Sequence, residues 1–222
     1  MLIATRLTKD QMAKRCASDI PNGAYVNLGI GIPTLVGNHI GEGKEVMFQN
    51  ENGILGVGPA PTEGEEDLDL VNVSAEPVTL VPGGSYVNHY DSFVMIRGGH
   101  IDYSIIGALQ VSGNGDLANW LTDPKAIPGV GGAMDLAVGA KNVFVITTHT
   151  TKTGESKIKK SCTFPLTASN VVKRIYTDLA VIDVAEEGLV VKEIVPGMSV
   201  DDLQKVTEAP LIVNEEPKVL NV

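Results

Sequence analysis

Gln49-Asn50-Glu51-Asn52-Gly53 stands where an extended run stops and a glycine-rich turn begins. Just before it, Glu45-Val46-Met47-Phe48 alternates polar and apolar residues and then ends apolar, as a short buried strand does. Just after it, Gly53-Ile54-Leu55-Gly56-Val57-Gly58-Pro59 carries three glycines and a proline, a composition that breaks regular structure and lets backbone approach whatever sits at the strand end. In open α/β sheets, ligands bind beyond the carboxyl ends of the strands. Glu51 is therefore expected as a carboxylate at the lip of a site. Such a group serves as general base, ion-pair partner or nucleophile, or it lies in a plain surface turn. Metal ligation needs companions at ligand spacing, and none stand there, so no metal is expected.

Working outward, Thr8-Lys9-Asp10-Gln11 has capping-box spacing, and Met12, Cys16 and Ile20 recur at helical intervals. Ala24 to Leu28 reads as a strand, followed at once by Gly29-Ile30-Gly31-Ile32-Pro33, with Pro33 suited to the first position of a helix through Leu35, Val36 and Ile40. Strand, glycine turn and helix start form either a tight connection or a cradle for an anion. The dinucleotide fingerprint is excluded because Thr34 stands where its third glycine belongs. If the two strands are neighbours, the turns after Leu28 and after Asn50 lie side by side.

Further along, Pro61 to Asp69 reads as a solvated acidic loop, and Val78 to Val81 as a strand closed by Pro82-Gly83-Gly84. Asp91 is placed to cap a helix ending at Gly98-Gly99, and Tyr103 to Val111 is apolar enough for a central parallel strand. A third glycine cluster, Gly129 to Gly132, precedes a helix and a strand from Asn142 to Thr148. His100 reads as a hydrogen-bonded structural histidine or a site residue, His149 lies at the end of that strand, and Lys152, Lys157, Lys159 and Lys160 read as a solvated basic face or a contact for an anionic ligand. Thr167 is expected to open an amphipathic helix through Val171, Val172 and Ile175. A hairpin, Leu179 to Val184 with Leu189 to Ile194, and a helix from Ser199 to Val206 complete the pattern. The expectation is an α/β fold with an open, mostly parallel sheet flanked by helices, one domain over residues 1–222, its tail after about 210 extended and loosely ordered.

A net charge of −10 argues against nucleic acid, and an aromatic share of 5% against a base-stacking platform. With two isolated cysteines, no run of apolar residues long enough to span a bilayer and no signal-peptide core, a cytoplasmic protein is expected, with neither nucleic acid nor membrane as partner.

Asn27-Leu28-Gly29-Ile30-Gly31-Ile32-Pro33, Glu51-Asn52-Gly53, Met95 to His100, Asp116 to Trp120 and Gly131 to Leu136 occur in this order. With these motifs the chain resembles the B subunit of a family I CoA-transferase of the 3-oxoacid type over about Thr8 to Ala209. The resemblance implies that Glu51 is the catalytic nucleophile. Gly29, Ile30, Gly31, Asn52, Gly53, Gly131 and Gly132 would then surround the CoA and the reacting carbonyl, and Lys157 would touch the CoA. It implies a glutamyl-CoA thioester intermediate, coenzyme A as substrate with no permanently bound cofactor, and acyl-CoA and short carboxylic acids as ligands. It also implies a partner chain, the A subunit of such an enzyme, in a heterodimer or heterotetramer. Acyl-CoA hydrolysis on the same scaffold is the alternative activity, and a ligand-binding relative without turnover a third reading. The chain departs from the family pattern at Asn50, where serine is usual, at Val73-Ser74-Ala75, at Asn88-His89-Tyr90 and at Thr122-Asp123-Pro124-Lys125. These departures bear on which substrates are used.

Overall fold

The capping box forms as its spacing predicts. Thr8 Oγ1 accepts from Gln11 N, and Gln11 Oε1 accepts from Thr8 N, so two N–H groups at the start of α1 (Lys9–Ser18) are paired. Met12, Ala13, Cys16 and Ala17 form the buried face of α1, which packs against the segment Ile32–His39 and the sheet. Burial pushes the Cys16 thiol far above its ordinary pKa, so it is a small core residue rather than a reactive one. These observations come from a computed structural model that describes residues 5–122 and 129–222.

The strands are β1 (Tyr25–Leu28), β2 (Met47–Asn50), β3 (Ile54–Val57), β4 (Leu80–Tyr86), β5 (Tyr103–Ile106), β6 (Gln110–Ser112) and β7 (Leu117–Ala118). They continue with β8 (Asn142–Ile146), β9 (Ile158–Lys159), β10 (Val172–Tyr176), β11 (Ala180–Ala185), β12 (Gly188–Ile194), β13 (Leu211–Ile212) and β14 (Lys218–Val219). The helices after α1 are α2 (His89–Arg97), α3 (Ala133–Gly139) and α4 (Val200–Lys205). In the main sheet the order is β13-β12-β11-β10-β8-β5-β1-β2-β3-β4, with β14 also on β12. The centre, from β10 to β2, is parallel throughout, and antiparallel pairs add β3 and β4 at one side and β11 and β12 at the other. The expected mostly parallel sheet flanked by helices is therefore present. Val26, Ile105, Val145 and Ile175, on four of these strands, are fully buried, each contributing roughly 1.5–3 kcal/mol relative to exposure.

Several local expectations are corrected. Thr167 does not open a helix: Val172–Tyr176 is strand β10, paired in parallel with β8. Val171, Val172 and Ile175 have helical spacing, but β-branched residues fit a pleated surface better, and a short run cannot separate the two periods. Ile32–His39 is a 3₁₀ helix rather than an α-helix, with Pro33 in its first turn as expected. The glycines after Glu51 do not end regular structure, because Ile54–Val57 folds back as β3 and Gly56 falls at a register shift against β4. Pro82-Gly83-Gly84 lies inside β4 instead of closing a strand. Asn88, not Asp91, caps α2, its side chain accepting from Asp91 N. The run from Tyr103 to Val111 is split between β5 in the main sheet and β6 in a small sheet with β7 and β9.

The predicted hairpin β11–β12 and the Ser199-capped α4 are present. The stretch after Pro210, read as extended and loose, is extended but held. Both β13 and β14 pair with β12, and Leu220 is buried.

Candidate active site

Because β2, β1 and β5 are parallel neighbours, their carboxyl ends line up. A cleft of about 540 Å³ opens there. Glu51 follows β2, Gly29 and Ile30 follow β1, and Gly107 to Leu109 follow β5. Opposite stand Gly129 to Ala133, leading into α3, with Val73, Asn119 and Trp120 completing the wall.

Buried polar bonding holds the end of β2 in place. Asn27 Nδ2 donates to Gln49 O at 2.9 Å and to Gln49 Oε1 at 2.8 Å, tying β1 to β2. Gln49 Nε2 donates to Ser92 Oγ on α2 at 2.6 Å, and Ser92 Oγ donates to Asn50 O at 3.1 Å. All four residues are buried, where such a closed set fixes geometry more firmly than in water. The turn after Glu51 then requires Gly53: its φ is +110°, and a Cβ there would collide with Val87 O.

Glu51 is half-buried, and burial raises its pKa above the ordinary 4.5; the His89 charge opposes this and Asp135 reinforces it. Asp135 is itself paired with Arg97 at 2.7 Å. Across the cleft, Gly132 lies so close that a Cβ on it would collide with Glu51 Oε2. Among the described residues lining the cleft, Glu51 is the one ionisable side chain. The rest of the surface is glycine, aliphatic residues, Trp120 and two asparagines. A half-buried carboxylate in such surroundings is less solvated than at an open surface.

Of the residues singled out from sequence, Gly29, Ile30, Gly131 and Gly132 line the cleft with Glu51. Gly31 is the residue preceding the 3₁₀ helix, where its carbonyl accepts from Thr34 N and Thr34 Oγ1. Gly53 is the turn glycine. Asn52 points to Val71 O at 2.8 Å, anchoring the segment that brings Val73 to the cleft. Lys157 stands behind the wall: its ammonium donates to Thr147 Oγ1 at 3.1 Å, and that hydroxyl donates to Ala108 O at 3.0 Å. His149 is fully buried between Thr177 and Thr207 and bonded to both hydroxyls, a structural histidine. Sequence reasoning missed Asn27 as a support, although an amide within an apolar strand is a signal of buried polar bonding. It also missed the wall from Ile106 to Leu109, for which no local signal exists, and marked Val73 only as a departure from the family pattern and not as a cleft residue. Of the departures from the family pattern, residues 123–125 lie outside the described residues.

A coenzyme A transferase family model matches residues 9–205. The chain belongs to the coenzyme A transferase family. It is 56% identical to the B subunit of the 3-oxoadipate CoA-transferase of Pseudomonas putida, over 96% of this chain and 100% of that protein. It is 51% identical to the B subunit of the succinyl-CoA:3-ketoacid coenzyme A transferase of Helicobacter pylori, over 90% and 97% of the two chains. The mitochondrial human succinyl-CoA:3-ketoacid coenzyme A transferase 2 is 47% identical over 90% of this chain, which spans 39% of that longer protein. Among solved structures, the Escherichia coli O157:H7 acyl-CoA transferase YdiF superposes with a TM-score of 0.78 at 20% identity, over 97% of this chain and 43% of that one. The decarboxylase AibA/AibB superposes with a TM-score of 0.70 at 16% identity, over 96% and 88%. The fold thus carries more than one chemistry, and activity must be argued from the site.

Proposed function

We propose that the protein is the glutamate-bearing B subunit of a two-subunit CoA-transferase that passes CoA from an acyl-CoA to a short carboxylic or 3-oxo acid. The observation that carries this reading is the single carboxylate, Glu51, in a cleft with no other ionisable lining side chain among the described residues. The curated relatives that match nearly end to end are named as B subunits of such enzymes, which supports a partner chain of the A type.

The Glu51 carboxylate attacks the acyl-CoA carbonyl and expels CoA thiolate, giving a mixed anhydride. The thiolate attacks the glutamyl carbonyl of that anhydride, releasing the first acid and leaving a glutamyl-CoA thioester. The acceptor carboxylate attacks this thioester and expels the thiolate again. Attack of thiolate on the acceptor's carbonyl then forms the new acyl-CoA and frees Glu51. CoA is a substrate throughout. Each step moves negative charge between oxygen and sulfur close to Glu51, so the apolar walls matter in two ways. They strengthen whatever dipoles face the reacting carbonyl, and they keep water from hydrolysing the anhydride or thioester. Hydrolysis as the main activity would need a group to activate water, and the described cleft residues supply none besides Glu51 itself.

The test is to expose the enzyme, purified with its A partner, to an acyl-CoA without acceptor and reduce with borohydride. The expected result is a glutamyl thioester converted to the alcohol on the peptide containing Glu51. An unmodified peptide, or full steady-state activity in Glu51→Ala, overturns the assignment.

A further inference from the structure

Gly107-Ala108-Leu109 carries the chain from β5 in the main sheet to β6 in the small one, and all three residues line the cleft. Two bonds hold this connector from behind. Leu109 N–H donates to Ala118 O at 2.9 Å, joining it to the stretch that brings Asn119 and Trp120 to the same cleft. Ala108 O accepts from Thr147 Oγ1 at 3.0 Å, just past the end of β8. Thr147 is buried, and its hydroxyl has one proton to give. Ala108 O can only accept, and the Lys157 ammonium can only donate. At 3.1 Å the ammonium therefore occupies a lone pair of Thr147 Oγ1 and leaves its proton to Ala108 O. Lys157 is itself fixed through its backbone, its N–H donating to His149 O and its carbonyl accepting from Val111 N, each at 3.0 Å.

The Lys157 side chain is half-buried, and burial holds its pKa below the ordinary lysine value; the Asp178 charge opposes this. Asp178 is bonded to Arg6 and to the His149 N–H, each at 2.7 Å, and among the described residues no carboxylate pairs with Lys157. A half-buried cation without a counter-ion is destabilising, so packing alone does not call for a lysine here. Nor does Lys157 line the cleft, where it would touch a ligand directly.

We propose that Lys157 is a positioning residue for the reaction at Glu51. Acting through Thr147, it keeps the Ala108 carbonyl turned away from the cleft, and so holds the wall of residues 107–109 against which the acyl-CoA carbonyl is set. This rests on the transferase reading for the place of that carbonyl, so the order of the wall is measured apart from turnover.

The enzyme purified with its A partner is compared with Lys157→Met, Thr147→Val, Thr147→Ser and the double variant Lys157→Met with Thr147→Val. Hydrogen exchange at the Leu109 amide reports the wall, and kcat and KM are measured with acetoacetyl-CoA and succinate as probes. Lys157→Met and Thr147→Val should each speed Leu109 exchange and lower kcat by about tenfold, with KM for the acyl-CoA held within about twofold. Thr147→Ser keeps the hydroxyl and should stay near the parent. The double variant should be no worse than Thr147→Val alone, because both changes break one line of bonds. A lower melting temperature with kcat unchanged would make Lys157 structural and overturn the proposal. A raised KM with kcat kept would mean contact with CoA and overturn it as well. If Leu109 exchange responds as stated in a protein that turns over no acyl-CoA, the transferase reading fails and the bonding of the wall stands. Turnover in the parent, with Leu109 exchange unmoved by either single variant, means the reverse.

Discussion

Glu51 Oε2 and Gly132 Cα face each other across the cleft at a separation that leaves no room for a side chain on Gly132. Two segments far apart in sequence therefore meet at the one carboxylate among the described residues lining the cleft. Gly132→Ala would push the carboxylate aside, and Phe93, 3.1 Å from the added Cβ, blocks relief in that direction. The fold should survive, because Gly132 precedes α3 rather than sitting in the core. CoA exchange should fall by about 10²-fold, the usual consequence of a misplacement near 1 Å. Steady-state kinetics with an unchanged circular dichroism spectrum is the check, and an activity within a few-fold of the parent would remove Gly132 from the site.

Burial of Glu51 has consequences for pH. Its folded-state pKa lies above the unfolded value, so ionisation of Glu51 in the fold is disfavoured. The stability penalty is fully present above the folded pKa and disappears as pH falls below the ordinary carboxylate value. Glu51→Gln should therefore raise the melting temperature near neutral pH, by on the order of 1 °C because the group is half-exposed. The gain should vanish near pH 4. In the parent, exchange should decline with acidification earlier than an ordinary carboxylate would dictate, as Glu51 is protonated. A melting temperature for the variant that is unchanged or lower at neutral pH would contradict this account.

How Glu51 is held can be tested at a distance from the chemistry. Ser92 Oγ joins Gln49 Nε2 to Asn50 O, and all of these atoms are buried. Ser92→Ala removes the hydroxyl and leaves Gln49 Nε2 with Asn50 O at 3.2 Å as its one remaining acceptor. Loss of about 1–3 kcal/mol of stability is expected, the cost of under-satisfied buried polar groups. Activity measured well below the melting temperature should fall as well, since β2 positions Glu51. Denaturant titration and kinetics on the same preparation separate the two effects.

The parts of this site that were legible in the sequence are those in which a strand is followed directly by glycine. Leu28-Gly29 and the turn at Glu51 are local signals, and parallel pairing of β1 with β2 places them together. The place of Val73 in the cleft wall was not legible. It reaches the cleft because Asn52 Nδ2 grips Val71 O and Val71 bridges Pro77, contacts made between residues that carry no periodic pattern. The Asn27–Gln49–Ser92 bonding was hidden for the same reason, since it joins positions separated by 22 and 43 residues. The helix expected from Thr167 failed because the spacing of Val171, Val172 and Ile175 satisfies a helix locally, whereas the edge of β8 offers those residues a sheet. Tertiary context decided between two admissible periods.

Trp120 offers a direct reading of occupancy. It is the chain's one tryptophan and lines the cleft, with its indole N–H towards Leu166 O at 3.4 Å. Intrinsic fluorescence excited at the indole should change on addition of acyl-CoA and saturate with ligand. Glu51→Ala should retain this response while losing exchange, because it removes the carboxylate and not the walls. A response absent from the parent would mean that acyl-CoA does not enter this cleft.

His149 provides a test unconnected with catalysis. It is fully buried, with Nδ1 3.0 Å from Thr177 Oγ1 and Nε2 2.9 Å from Thr207 Oγ1, and its backbone N–H donates to Asp178 Oδ1. Burial pushes its pKa down to about 4; the nearby Asp178 charge opposes that shift and Arg6 adds to it. In the window from about 6.5 down to about 4 the unfolded chain binds a proton that the folded chain refuses. Stability present above that window should decline across it by on the order of 2–3 kcal/mol. His149→Gln keeps hydrogen-bonding capacity without the titration, so its stability should be flatter between pH 6.5 and pH 4. Denaturation curves at a series of pH values would show the parent losing stability relative to the variant as pH falls from 6.5 to 4. Parallel curves would mean that acid sensitivity lies in other groups.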